Sequence, residues 1–193
     1  FGMFALRTFP SLTRRSVSRP LSFSFPGPRR LADVVKLPLL QDESRERVEE
    51  IWRTYHSKQD TCIADVWEAG EYKSFRALAK KCPLFIFPVR RDKGHFVMLS
   101  QVQEQHVLLT YLEDYKKDPV AAVPYLTISL FDDFAADKGI VLARGDICNT
   151  LSLDESQRLL GLMKTYYGGP RQEDVRAFNK GEFDFEAHLR DCP

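Results

Sequence analysis

The sequence predicts an α+β fold, a mainly antiparallel sheet of about five to six strands with helices packed on it. Three observations predict it. Residues 82–111, CPLFIFPVRRDKGHFVMLSQVQEQHVLLTY, hold three apolar runs separated by two short polar turns, the pattern of an antiparallel meander. Tyr125 to Phe131 alternates, with Leu126, Ile128 and Leu130 on one face and Tyr125, Thr127, Ser129 and Phe131 on the other. The segments before and after these strands carry apolar residues at helical spacing, so strands and helices are segregated along the chain.

In order, Leu31 to Leu37 predicts a short helix stopped by Pro38. Asp42 is placed to cap a second helix, along which Val48, Ile51, Trp52 and Tyr55 form one apolar stripe, with Glu49 and Arg53 paired on its solvent side. Cys62 to Trp67 reads as a strand. Glu71 to Lys81 reads as a helix buried along Tyr72, Phe75, Leu78, Ala79 and Cys82. Pro83 ends it, and the unbroken Leu84-Phe85-Ile86-Phe87 run predicts a strand covered on both faces. Gly94 is expected at positive φ in the first meander turn. Glu113 to Asp118 is a charged helical turn, and Gly139 to Ala143 a further strand. Ser152 and Glu155 spell a capping box for a helix buried through Leu159, Leu160, Met163 and Tyr167. A short helix from Gln172 to Asn179 and a polar tail anchored by Phe183 and Phe185 complete the chain.

The net charge of +1 conceals an asymmetry. Residues 1–30 contain six arginines and no acid, and removing those six charges leaves −5 for residues 31–193. The Arg- and Ser-rich first 30 residues are expected to be an organelle import segment, mitochondrial in the first instance, with plastid segments overlapping in composition. The absence of an initiator Met reads as a chain trimmed at its start. Residues 31–193 are expected to form one domain, too acidic for a nucleic-acid footprint. No apolar run approaches the roughly 20 residues of a membrane span, so no stable membrane insertion is expected. Cys62, Cys82, Cys148 and Cys192 form no CxxC pair and are expected to be reduced, buried thiols.

Chemistry-bearing motifs are scarce. The sequence has no GxxxxGK[ST] loop, no GxGxxG after a strand and no GxSxG elbow, so neither a nucleotide nor another cofactor is expected, and no catalytic residue is assigned. His95 and His106 begin neighbouring strands; a metal pair across the hairpin is weighed against two water-exposed strand ends, and the second reading is preferred. Asp132, Asp133 and Asp137 are read as a solvated turn rather than a Mg²⁺ clamp, Cys82 as core packing, and Arg144-Gly145-Asp146 as a turn after a strand. What stands out is apolar mass. If helices cover only one face of the sheet, Phe85, Phe87, Tyr125 and Phe131 line the other as a client-binding surface, with Trp52 and Phe178 behind them. If helices cover both faces, that surface does not exist.

Six stretches occur in order: LADVVKLPLL at 31–40, IWRTYH at 51–56, CPLFIFPVRR at 82–91, PYLTISLFDDF at 124–134, DKGIVLARGDI at 137–147 and AFNKGEFDF at 177–185. Together, the last more weakly, they resemble the ATP11 family, mitochondrial chaperones that handle the β subunit of the ATP synthase catalytic head. The tail departs from the family pattern, which usually has Arg-Pro where Lys180-Gly181 stands. The resemblance implies a non-enzymatic protein of the mitochondrial matrix whose partner is the free ATP synthase β subunit, held until the α subunit displaces it. The alternative is a matrix enzyme with a site built on His95, His106 and Cys82.

Overall fold

A computed structural model of the chain describes residues 28–193. The expected import segment lies outside these residues except for its last three.

Six strands form one antiparallel sheet: β1 (Cys62–Glu68), β2 (Leu84–Arg91), β3 (Gly94–Gln103), β4 (His106–Tyr111), β5 (Pro124–Phe131) and β6 (Ile140–Ile147). Their spatial order is β1-β6-β5-β4-β3-β2. The meander forms as the turn residues predict, with Leu84 opposite Gln101 and Val102 opposite Val107. Gly94 sits at φ 140° at the first turn. The hairpin β5–β6 follows, and β1 returns to pair with β6 from Cys62 opposite Asp146 to Glu68 opposite Ile140.

Three helices and a π-helical turn cover the first face of the sheet. They are α3 (Ala69–Ala79), α5 (Leu153–Met163) with the turn Lys164–Gly168 that extends it, and α6 (Gln172–Lys180). The capping box of α5 is present: Glu155 N–H donates to Ser152 Oγ (3.1 Å) and Ser152 N–H to Glu155 Oε2 (2.8 Å). Between these helices and the sheet lies one continuous core containing Phe75, Phe85, Phe87, Leu109, Ile128, Tyr166 and Tyr167.

The second face is covered in two separate pieces. At the β1–β6 end, a 3₁₀ turn (Leu31–Asp33), α1 (Leu37–Gln41) and α2 (Arg45–His56) pack over Val66, Phe131, Ile140 and Leu142. At the β2–β3 end, α4 (Leu112–Lys117) and α7 (Phe185–Asp191) contribute Leu112, Tyr115 and Leu189 against Ile86, Val97 and Leu99. The outer strand β2 is shielded as an edge should be. Asn179 Nδ2 donates to Leu84 O (2.6 Å), His188 Nε2 to Ile86 O (3.1 Å), and Pro88 removes one amide.

Several local expectations are corrected. Pro38 starts α1 instead of ending a helix, because the first helical turn has no use for its missing N–H. Ser44, not Asp42, caps α2, accepting from Arg47 N–H (3.3 Å). Glu49 pairs with Arg45, and Arg53 reaches across to Asp65 (3.0 Å). Arg144, Gly145 and Asp146 lie inside β6, opposite β1 and β5. Gly145 has no room for a side chain, since a Cβ there would stand 2.7 Å from Ile63 Cγ1. Residues 185–191 form a helix where a plain tail was expected.

Candidate functional site

A groove of about 540 Å³ opens between the first turns of the described chain and α2. Its floor is Trp52, 1% exposed, whose Nε1–H donates to Ala143 O (3.2 Å) and so ties the indole to the sheet. Its walls are Val34, Val35, Leu39, Ile51 and Tyr55. Leu39 is 65% exposed and Tyr55 51%, and both belong to the few large apolar side chains open to water among the described residues. Lys36 and Glu43 add one charge of each sign.

The local sequence explains why these residues stay open. The α1 helix is five residues long and carries Leu37, Leu39 and Leu40. Successive helical residues are about 100° apart, so three leucines in four positions cannot share one buried side. Leu40 goes into the core and Leu39 points out. On α2 the apolar stripe is too wide for the sheet beneath it. Val48 and Trp52 are buried, while Ile51 and Tyr55, one step round the helix, reach the groove.

Below the groove lies a buried charged cluster. Arg144 donates through Nε (3.0 Å) and Nη2 (2.8 Å) to Asp146 Oδ1, and Arg29 Nε stands 3.7 Å from Asp146 Oδ2. Arg144 Nη1 donates to His56 Nε2 (3.2 Å), while His56 Nδ1–H donates to the Trp52 carbonyl (2.7 Å). A carbonyl only accepts, so His56 is held as the neutral Nδ1–H tautomer. Burial pushes its pKa below the usual imidazole value, and the Arg144 guanidinium pushes the same way. The cluster anchors the C-terminal end of α2 to β6.

The residues expected to form a client surface do not converge. Phe85 and Phe87 are wholly buried on the first face, where Phe85 packs against Tyr166 (ring centroids 5.0 Å apart), Phe178 (5.6 Å) and Phe183 (5.6 Å). Helices cover both faces, so these two side chains offer no surface in the folded chain. Phe131 is buried behind Trp52, edge to face at 6.0 Å. Tyr125 is half-buried near Tyr111 (6.3 Å), and Phe178 is half-buried. Of the six, Trp52 alone lines the groove. Leu39, Ile51 and Tyr55 line the groove and were not among the six; the crowding of leucines around Pro38 is the signal the sequence offered.

Of the two histidines expected at water-exposed strand ends, His95 is exposed as expected, whereas His106 is buried. Neighbouring antiparallel strands begin at opposite ends, so His95 lies eight residues along β3 from Gln103, the partner of His106. That is about 26 Å at ~3.3 Å per residue. His95 is exposed, His106 is buried beside Ser129, and Cys82 lines a different groove. Among the described residues no group of three or more His, Cys, Asp or Glu is placed to hold a metal ion, and no helix is long and apolar enough to cross a membrane.

An apolar groove lined by two open side chains and floored by an anchored indole has the character of a protein-docking surface. The chain belongs to the ATP11 protein family, whose sequence model matches residues 10–188. It is 24% identical over 180 residues to the ATP synthase mitochondrial F1 complex assembly factor 1 of Homo sapiens, covering 91% of this chain and 53% of the relative. The Mus musculus protein of the same name is 25% identical over 156 residues, covering 80% and 48%. Protein atp11, mitochondrial, of Schizosaccharomyces pombe is 29% identical over 177 residues, covering 84% and 60%. The chain thus spans about half the length of the curated relatives it matches.

Proposed function

We infer that this protein is an assembly chaperone for the F1 sector of the mitochondrial ATP synthase, acting in the matrix without catalysing a reaction. Its client is the free β subunit, and the α subunit displaces it as the catalytic head is built. Membership of the ATP11 family carries this reading, and the names of the relatives, F1 complex assembly factors, support it. The acid-free, arginine-rich first 30 residues support delivery to the organelle.

The groove between α1 and α2 is the surface assigned to the client. Subunits of an obligate ring expose large apolar interfaces when alone, of order 2,000 Å² or more, and these aggregate if uncovered. A groove contact of roughly 300 Å² of apolar surface is worth about 7 kcal/mol at ~25 cal/mol/Å². The cost of association, about 4–15 kcal/mol, offsets much of that. Such a contact holds a subunit but yields to the larger native interface, and release needs no nucleotide hydrolysis.

The test uses purified isolated β subunit and the full chain. Light scattering of the β subunit should fall on adding the protein and a complex should elute on gel filtration, with α subunit then removing the protein from it. Unchanged aggregation of β in the presence of folded protein would sink the reading.

A further inference from the structure

On the opposite side of the sheet from the apolar groove, α3 and α6 leave a second groove of about 620 Å³ between them. One helix face lines each side. Ser74, Leu78 and Lys81 stand on α3 and the residues just after it; Gln172, Arg176 and Lys180 stand on α6. Both sets follow i, i+4 and i+7 or i+8 spacing, so each wall is about 10–12 Å long at ~1.5 Å per residue.

The lining contains three cations and no Asp or Glu. Lys81 and Lys180 are exposed, and neither has a carboxylate within ion-pair distance among the described residues. Arg176 stands 3.5 Å from the exposed Glu173 and gives Nη2–H to Gln172 Oε1 (2.9 Å). The neutral donors are already engaged: Ser74 Oγ–H with Gly70 O, and the Asn179 amide with Leu84 O and Val175 O. A ligand therefore meets charge, over a floor that includes Leu78 and the half-buried Cys82. This positive trough lies on a body of net charge −5.

We propose that the groove between α3 and α6 docks an acidic stretch of a partner polypeptide, about three residues in extended form, with its carboxylates between Lys81 on one wall and Arg176 and Lys180 on the other. The length follows from ~3.3 Å per extended residue. The charge balance selects the class of partner. A nucleic acid continuing past the groove would meet the repulsion of the acidic body, whereas a short acidic stretch of polypeptide ends where the positive charge ends. The proposal does not rest on the identity of the client at the apolar groove.

The experiment is fluorescence anisotropy on the full chain with a fluorescein-labelled peptide containing Glu-Leu-Glu-Glu. Controls are the Gln-Leu-Gln-Gln peptide and a single-stranded oligonucleotide of equal charge. The Glu peptide should bind, weaken steeply between about 0.05 and 0.3 M salt as screening shortens the reach of the charges, and protect Cys82 from alkylation as read by mass spectrometry. Lys81→Glu with Lys180→Glu should weaken it by about tenfold or more with only a small fall in the thermal midpoint, since both side chains are exposed and stand at helix C-termini. Leu39→Asp, on the other face, should leave it unchanged. Equal binding of the Gln peptide, wild-type affinity in the double variant, or tighter binding of the oligonucleotide at Cys82 would each overturn the proposal.

Discussion

The two faces of the sheet are built on different principles. The first is a single aromatic core in which Phe75, Phe85, Phe87, Tyr166 and Tyr167 interlock under three helices. The second carries two smaller apolar clusters at its ends. Between them the strands present Thr127, Ser129, His106, Arg144 and Asp146, all buried. A continuous apolar core is stabilised by area and packing alone. A buried polar strip needs every partner in place, and removing one partner costs more than the pair contributes. Stability is therefore concentrated on the first face. The second face holds α2 in place through specific bonds, and among the described residues the outer side of α2 stays open at Tyr55.

The largest expected effect lies on the first face. Phe87→Ala should cost about 3–5 kcal/mol by transfer and cavity terms together, visible as a lower midpoint in urea or heat. A loss under about 1 kcal/mol would show that the aromatic core repacks and that the contrast between the faces is overdrawn. Phe87→Asp should unfold the chain, not merely block a partner.

Next comes the polar strip. Arg144→Ala removes the principal partner of the buried Asp146 and the donor to His56, leaving Arg29 at 3.7 Å. The expected loss is about 3 kcal/mol. Replacing Arg144 and Asp146 together by Leu should recover most of it, because no uncompensated buried charge then remains and Arg29, which loses its partner, is open to water. A double variant as unstable as Arg144→Ala would show that the cost comes from packing rather than charge.

A smaller effect is expected from pH. His56, His106 and His188 all have pKa values lowered from the ordinary imidazole value, with burial the first cause in each. His188 gives Nε2–H to Ile86 O, and Tyr166 O–H donates to its Nδ1 (3.5 Å). His106 Nδ1 lies 3.5 Å from Ser129 Oγ, and its Nε2 is buried without a partner among the described residues. Between the folded and unfolded pKa values the unfolded chain binds more protons. Stability is therefore full above about pH 6.5 and declines as pH falls through that value toward the depressed ones. The urea midpoint should be lower at pH 5.5 than at pH 7.5, and His56→Gln should reduce the difference while His106 and His188 keep the remainder. Midpoints that rise on acidification would reverse the assignment of neutral histidines.

The smallest effect on stability belongs to the open groove. Leu39→Asp and Tyr55→Asp replace exposed side chains and should shift stability by no more than about 0.5 kcal/mol. Under the proposed function they should nevertheless abolish suppression of β-subunit aggregation. The reverse outcome, a destabilised chain that still binds, would move the docking surface elsewhere.

Much of the fold was legible because it rests on short-range rules. The meander announces itself through Gly94 and the polar turn before His106, the β5 alternation through three apolar residues at spacing two, and the α5 start through Ser152 and Glu155. The −5 charge of the body and the arginine bias of the first 30 residues were equally plain. The open groove was not legible, because periodicity tells which residues are apolar but not which of them run out of partners. Phe85 and Leu39 are both strongly apolar. One lies on a strand under helices that arrive from residues about 80 to 100 positions away, and the other on a five-residue helix whose outer side meets nothing among the described residues. Sequence by itself determined most of the strands and helices and the charge balance of this protein, since those follow from neighbours along the chain; it did not show the helix at 185–191 or the extension of β6 through Arg144-Gly145-Asp146. Tertiary structure alone decided that both sheet faces are covered, that Arg144, paired with Asp146, meets His56, and that Leu39 and Tyr55 face water, since burial depends on what distant segments bring to the same place.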